Sequence, residues 1–194
     1  MFMNVPGLKI IAPASPSDAK GLLRSAIDSD DPVLSFEACP LWGMKEEVQD
    51  EEYFIPLGQG RTLREGSDLT IIAVSGGVVE ATFAADALKE EGISVELFDP
   101  RTLTPLDVEG ILNAATKTGR VIVVDPAHRT CGAAAEISAL VAEHAFDTLK
   151  SPITRITAPD MQIPFSPALE KQFYPRREGI AAKVREVLGV KAMA

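Results

Sequence analysis

Apolar positions along this chain fall into short unbroken runs separated by longer runs of helical period. Residues 8–12 (Leu-Lys-Ile-Ile-Ala) lie between Gly7 and Pro13, as a buried strand does. Ser15-Pro16-Ser17-Asp18 follows. Ser15 suits an N-cap, Pro16 the first helical position, and Asp18 the far side of a capping box. Ala19, Leu22, Leu23, Ala26 and Ile27 share one face of the predicted helix. Residues 33–36, after Pro32, read as a second strand.

Residues 39–60 break this rhythm. They carry Glu46, Glu47, Asp50, Glu51 and Glu52 among prolines and glycines. We read them as an acidic linker pinned by Trp42, Tyr53 and Phe54.

From Arg61 the alternation is regular. Strands are predicted at residues 69–74, 93–98, 120–124 and 152–157. Between them lie a helix after Ser75-Gly76-Gly77, with Val79, Phe83, Ala84, Ala87 and Leu88 inward, and a helix opened by Thr104-Pro105 and closed by Gly119. Further helices cover residues 132–149 and 177–188. Short apolar strands alternating with helices imply an α/β fold, a mainly parallel sheet covered on both faces. The pattern divides the chain into residues 1–38, 39–60 and 61–194.

Composition narrows the function. The chain has 194 residues, enough for one domain with part of another, and a net charge of −9. That charge opposes nucleic acid as a partner, since phosphate binding needs a basic surface. Two cysteines, Cys39 and Cys131, are too few for a disulfide framework and suggest reduced thiols in a cytoplasm. No apolar run approaches the roughly 18 residues of a membrane span, and no basic-then-apolar leader opens the chain.

Motifs for familiar chemistry are missing: no Gly-x-Gly-x-x-Gly after a strand, no Walker sequence, no zinc spacing and no Gly-x-Ser-x-Gly elbow. Two places could bind an anion or ligand. Ser75, Gly76 and Gly77 form a strand-to-helix turn that can offer backbone amides. His128 and Arg129 follow a buried strand, where parallel sheets bind ligands; they could equally cap the next helix and build an interface. His144 shares a helical stripe with Ile137, Leu140 and Val141 and reads as packed or half-exposed. Glu37 ends a strand with no identifiable partner and reads as structural.

Several segments together resemble one family. They are Val5-Pro6-Gly7-Leu8-Lys9, Asp18-Ala19-Lys20-Gly21-Leu22-Leu23, Arg64-Glu65-Gly66-Ser67-Asp68, Asp99-Pro100-Arg101-Thr102-Leu103-Thr104-Pro105-Leu106-Asp107, Ala127-His128-Arg129-Thr130 and Thr157-Ala158-Pro159-Asp160. This set resembles the second half of the beta subunit of the thiamine-diphosphate-dependent 2-oxoacid dehydrogenases, of pyruvate, branched-chain and acetoin types. The resemblance implies a three-layer α/β/α transketolase C-terminal domain with a five-stranded, mainly parallel sheet. Its first strand, residues 59–64, would run antiparallel. Residues 1–38 would be a β-α-β remnant of a pyrimidine-binding domain, the rest of that domain being absent.

The resemblance also implies partners: an alpha subunit, a second copy of the chain, and the acyltransferase core. Thiamine diphosphate and magnesium would belong to the parent complex, none bound to this chain alone. The diphosphate is held by alpha in that family, and the activating glutamate lies in the part of beta not present here. No catalytic residue therefore carries over. A structural potassium ion would lie at Ala26, Ser29 and Asp31. Pro126 and Cys131-Gly132 depart from the usual family pattern, and Cys131 together with Trp42-Gly43-Met44-Lys45 leans toward the acetoin branch. On this reading the chain serves assembly and is not catalytically competent alone. A free-standing anion-binding or regulatory module, and an inert truncation product, are the alternatives.

Overall fold

Five consecutive residues of Leu69–Ala73 (β4) are buried, as are all five of Val95–Asp99 (β5). Such runs have no polar face, so the sheet they form must be covered on both sides. The computed structural model, which describes residues 2–191, shows how. Arg61–Arg64 (β3), β5, β4, Val121–His128 (β7) and Thr154–Ala158 (β8) lie in the order β3-β5-β4-β7-β8. Only β3 is antiparallel to its neighbour.

Helices Gly76–Glu90 (α2) and Arg177–Leu188 (α6) cover one face. Their core includes Ile71, Leu88, Leu97, Ile122 and Ile180. Val108–Thr118 (α3) and Ala133–His144 (α4) cover the other, over Ile72, Ile111, Val123 and Ile137. The three-layer expectation holds.

Residues before the linker form a smaller sheet. Lys9–Ile11 (β1) pairs in parallel with Val33–Ser35 (β2), and Pro16–Ile27 (α1) joins them. The third strand comes from far along the chain. Thr102–Thr104 (β6) runs antiparallel to β1.

That strand corrects one expectation. Thr104-Pro105 does not open a helix; the cap is Asp107, whose carboxylate accepts the Gly110 amide at 2.8 Å. A carboxylate bonding to a free first-turn amide is the stronger start signal.

Ala84 and Leu88 face inward from α2 as expected, together with Val78, Ala81 and Ala85, whereas Ala87 is exposed. Phe83 is exposed and Val79 only half-buried, so the face is rotated by about one residue from the expected one. On α1, Leu23 and Ile27 are exposed while Asp18, Gly21 and Leu22 are buried. Helix α4 ends at His144, which is exposed, with Phe146–Thr148 a separate turn. Trp42 is exposed, and Phe54, also exposed, meets α1 only through the Arg24 guanidinium 5.5 Å from its ring centroid. Tyr53 and Ile55 hold the linker instead. The Tyr53 hydroxyl donates to the Ser17 carbonyl at 2.7 Å, and Ile55 is buried with Leu22 and Ile11. A Cβ on Gly21 would lie 2.6 Å from Ile55 Cγ1, so only glycine lets the linker lie so close.

Candidate functional site at the sheet's carboxyl edge

The chain leaves β4 for β5 on one side and returns through α3 to β7 on the other. The carboxyl ends of β4 and β7 are therefore the point where strand order reverses, the usual ligand position in such sheets. A cleft of about 380 Å³ opens there, between Ser75 on one strand end, Asp125 and Pro126 on the other, and Phe2, Phe36 and Glu37 from the N-terminal sheet.

Local geometry builds its walls. Ser75 adopts φ +50°, a left-handed backbone in which a Cβ is strained. A Cβ on Gly77 would meet Val124 Cγ1 at 3.1 Å and the Val124 carbonyl oxygen at 3.2 Å, so the small residue sets how closely α2 meets β7. The Gly77 amide donates to the Val74 carbonyl and the Val78 amide to that of Ser75, each at 2.9 Å. Two amides that an anion would need are thus spent within the turn.

Asp125 shapes the opposite wall. One carboxylate oxygen accepts the Ala127 amide and the other the Ala134 amide, both at 2.9 Å. Cys131 follows at φ +57°, and a Cβ on Gly132 would lie 2.5 Å from the His128 carbonyl oxygen. Glu37 stands at the cleft and accepts the Ser35 hydroxyl at 3.2 Å.

His128 does not join this cleft. It lies inside β7 rather than beyond it, and donates from Nε2 to the Met161 carbonyl at 3.0 Å, with its ring edge against Phe173. Arg129 reaches the Arg155 carbonyl at 3.4 Å, and Arg155 returns the contact to the Arg129 carbonyl at 3.3 Å. Beside them Thr130 donates to Asp160 from amide and hydroxyl, which lowers the Asp160 pKa. His128, Arg129 and Thr130 thus fasten residues 155–161. The structure does not bring the Gly76 turn and His128 into one pocket.

Near residues 26–31 the Lys9 ammonium donates to Ser29 Oγ at 3.0 Å and pairs with Asp31 at 3.1 Å. The Ala26 carbonyl accepts the Ser29 amide at 3.3 Å. A cation of the chain itself already contacts two of the three residues.

Sequence reasoning missed a buried charge cluster. Asp18 on α1 is fully buried and pairs with Arg101 at 2.8 Å and Arg61 at 3.5 Å. Asp99, at the end of β5, is also fully buried; one oxygen accepts the Arg101 amide at 2.8 Å and the other has no partner. Burial first, and then the nearby Asp18 charge, push the Asp99 carboxyl up to about 7 against the pull of the Arg101 amide. The detectable signal was Asp18, an acid on an otherwise apolar helix face.

Comparison with known proteins gives the lineage. The description "Transketolase, C-terminal domain" matches residues 58–180, the region that forms the five-stranded sheet and helices α2, α3 and α4. The chain belongs to the transketolase C-terminal domain family. Within it, the chain is 46% identical over its whole length to the beta subunit of acetoin:2,6-dichlorophenolindophenol oxidoreductase from Bacillus subtilis, of which it covers 56%. It is 43% identical over 94% of its length to the pyruvate dehydrogenase E1 beta subunit of the same organism, again covering 56%. The chain spans about half the length of the curated relatives it matches. Among solved structures it resembles a split gene transketolase described as an inactive beta4 tetramer. That match has TM-score 0.78 and 25% identity over 98% of this chain and 60% of the other.

Among the described residues no three His, Cys, Asp or Glu side chains converge on a metal position, and two first-turn amides of α2 already have partners. No helix in the described residues is long and apolar enough to cross a membrane.

Proposed function

We propose that this chain is the assembly half of a dehydrogenase beta subunit. It packs against a second copy and an alpha subunit and supports docking of the acyltransferase core, without decarboxylating a substrate alone. One observation carries this reading: the match to the acetoin-type beta subunit runs over 100% of the chain at 46% identity. Thiamine diphosphate and magnesium are then properties of the assembled complex in a cytoplasm, and the chain contributes scaffold. Residues 1–38 belong to a pyrimidine-binding unit, 39–60 to the connection and 61–194 to the transketolase domain. Potassium at Ala26, Ser29 and Asp31 would have to displace the Lys9 ammonium from two of its ligands.

The beta-only tetramer of the split gene transketolase, described as inactive, supports assembly without catalysis. Identities of 46% and 43% are too near each other to choose between acetoin and a 2-oxoacid as substrate. Co-expression with an acetoin-type or pyruvate-type alpha subunit tests the proposal. A stable complex on size exclusion, and no turnover of pyruvate, a branched oxoacid or acetoin by this chain alone with thiamine diphosphate and magnesium, is expected. Turnover by the chain alone would overturn it.

The cleft at Ser75 and Asp125 favours a second reading, a small-ligand module at the strand-order reversal. The Gly77 and Val78 amides are already bonded within the turn, so saturable binding of inorganic phosphate by the full chain is the result that reading requires, and its absence would remove it.

A further inference from the structure

Four charged side chains meet where the small N-terminal sheet stands on the transketolase domain. Asp18 comes from α1, Arg61 from β3, and Asp99 and Arg101 from the end of β5 and the turn into β6. The same turn carries a backbone link between the two units beside the β1–β6 pairing, because the Ala12 amide donates to the Arg101 carbonyl at 2.9 Å. Arg101 itself is held at φ +59°. We propose that this cluster is a proton-linked latch: Asp99 holds a proton while the N-terminal unit is seated, and releases it when the unit lifts off.

The geometry argues for it. Asp18 draws both guanidinium groups, at 2.8 and 3.5 Å, and also accepts the Ser15 hydroxyl at 2.9 Å. Asp99 is left with one amide and one buried oxygen without a partner. An ionised carboxylate with an orphaned oxygen in a dry site is costly, so the neutral acid is the better occupant. The Arg101 and Arg61 charges pull the other way without overcoming burial and the Asp18 charge. Arg61 on β3 stands in register with Asp99 yet pairs with Asp18. From the linker, the Tyr53 phenol donates to the Ser17 carbonyl. Asp107, at the start of α3, is engaged by the Gly60 and Gly110 amides.

The sign of the linkage follows. The seated form keeps the Asp99 proton up to about pH 7, whereas a hydrated aspartate in the lifted form loses it near 4. Lifting therefore releases a proton, and becomes easier as pH rises between those two values. Below the window both forms are neutral and above it both are ionised, so the dependence stops at each end.

Two measurements on the full chain test this. Carboxyl carbon NMR should show Asp99 titrating near neutrality; a midpoint above about 6 supports the latch, and a lower one overturns it. Hydrogen exchange at Ile10, Ile11 and Leu22, corrected for the intrinsic rate, should quicken by up to about tenfold per pH unit from 5 to 7. Asp99→Asn, which keeps the acceptor and cannot ionise, should abolish that slope. A slope that persists in Asp99→Asn overturns the proposal. Where that variant does not fold, the wild-type titration decides.

Discussion

Asp107 and Gly60 are joined by a 2.7 Å hydrogen bond from the Gly60 amide, through the carboxylate that also caps α3. One side chain thus starts a helix and anchors the last residue before β3. Asp107→Ala should lose both and destabilise the fold by about 1 to 2 kcal/mol. Asp107→Asn, which keeps acceptor geometry, should recover most of the loss. Urea unfolding midpoints of the two variants check this; equal losses would mean the charge, not the geometry, matters.

Gly66 and Gly179 should respond to alanine in opposite directions. A Cβ on Gly66 would lie 2.1 Å from the Glu96 nitrogen and the Val95 carbonyl carbon, both backbone atoms that cannot yield. Gly66→Ala should therefore cost about 4 kcal/mol or more. Gly179, within α6, has nothing within 4 Å of such a Cβ. Gly179→Ala should gain about 0.5 to 1 kcal/mol from helix propensity alone. Thermal melts of both variants suffice, and a neutral Gly66→Ala would refute the close approach.

The α2–α6 pair should depend on acid. Burial raises the Glu80 pKa, but hydrogen bonds from the Arg177 side chain and amide outweigh it, so the net shift is downward. The amide bond is 2.9 Å and the Nε bond 3.1 Å. A depressed folded pKa gives stability that is present above the ordinary carboxylate range and lost as pH falls. Glu80→Gln should cost about 1 to 2 kcal/mol at pH 7, and the gap to wild type should close below about pH 4. Arg177→Ala should cost more, since Arg177 also lies 3.9 Å over the Phe83 ring. Chemical denaturation across pH checks both, and a constant gap would remove Glu80 as the cause.

Hydrogen exchange should begin at the smaller sheet. Strand β2 is an edge, bonded only to β1, and none of its residues is buried. Strands β4 and β7 lie inside the five-stranded sheet with buried residues throughout their paired length. Amides of residues 33–35 should label early and those of 69–73 and 121–124 last. Uniform protection would show that the small sheet unfolds only with the whole chain.

The layered domain was legible because its central strands β4, β5 and β7 are buried on both faces, and only an unbroken apolar run satisfies that environment. The runs ending at Ala73 and Val124 left no second choice. Glycine at position 119 marked a helix end just as directly. What escaped was set by distant neighbours. Thr102–Thr104 became a strand because β1 offered it an open edge, so the Thr-Pro pair could not start a helix. Phe83 came to the surface of α2, where the Arg177 guanidinium of α6 lies over its ring. Leu23 and Ile27 share a helical stripe with Leu22, but only Leu22 has Ile11 and Ile55 to cover it.

The site divides in the same way. Lineage is a local property of the chain, written in contiguous motifs, whereas the order β3-β5-β4-β7-β8 exists only in the folded sheet. The separation of His128 from the Gly76 turn is not, because strand β7 carries His128 over to Met161 and Phe173. Nor is the meeting of Asp18 with Asp99 and Arg101, some 80 residues apart in sequence. A charge in a sequence reads as solvated by default; burial and a missing partner, which give Asp99 its raised pKa, exist only once the two sheets are stacked.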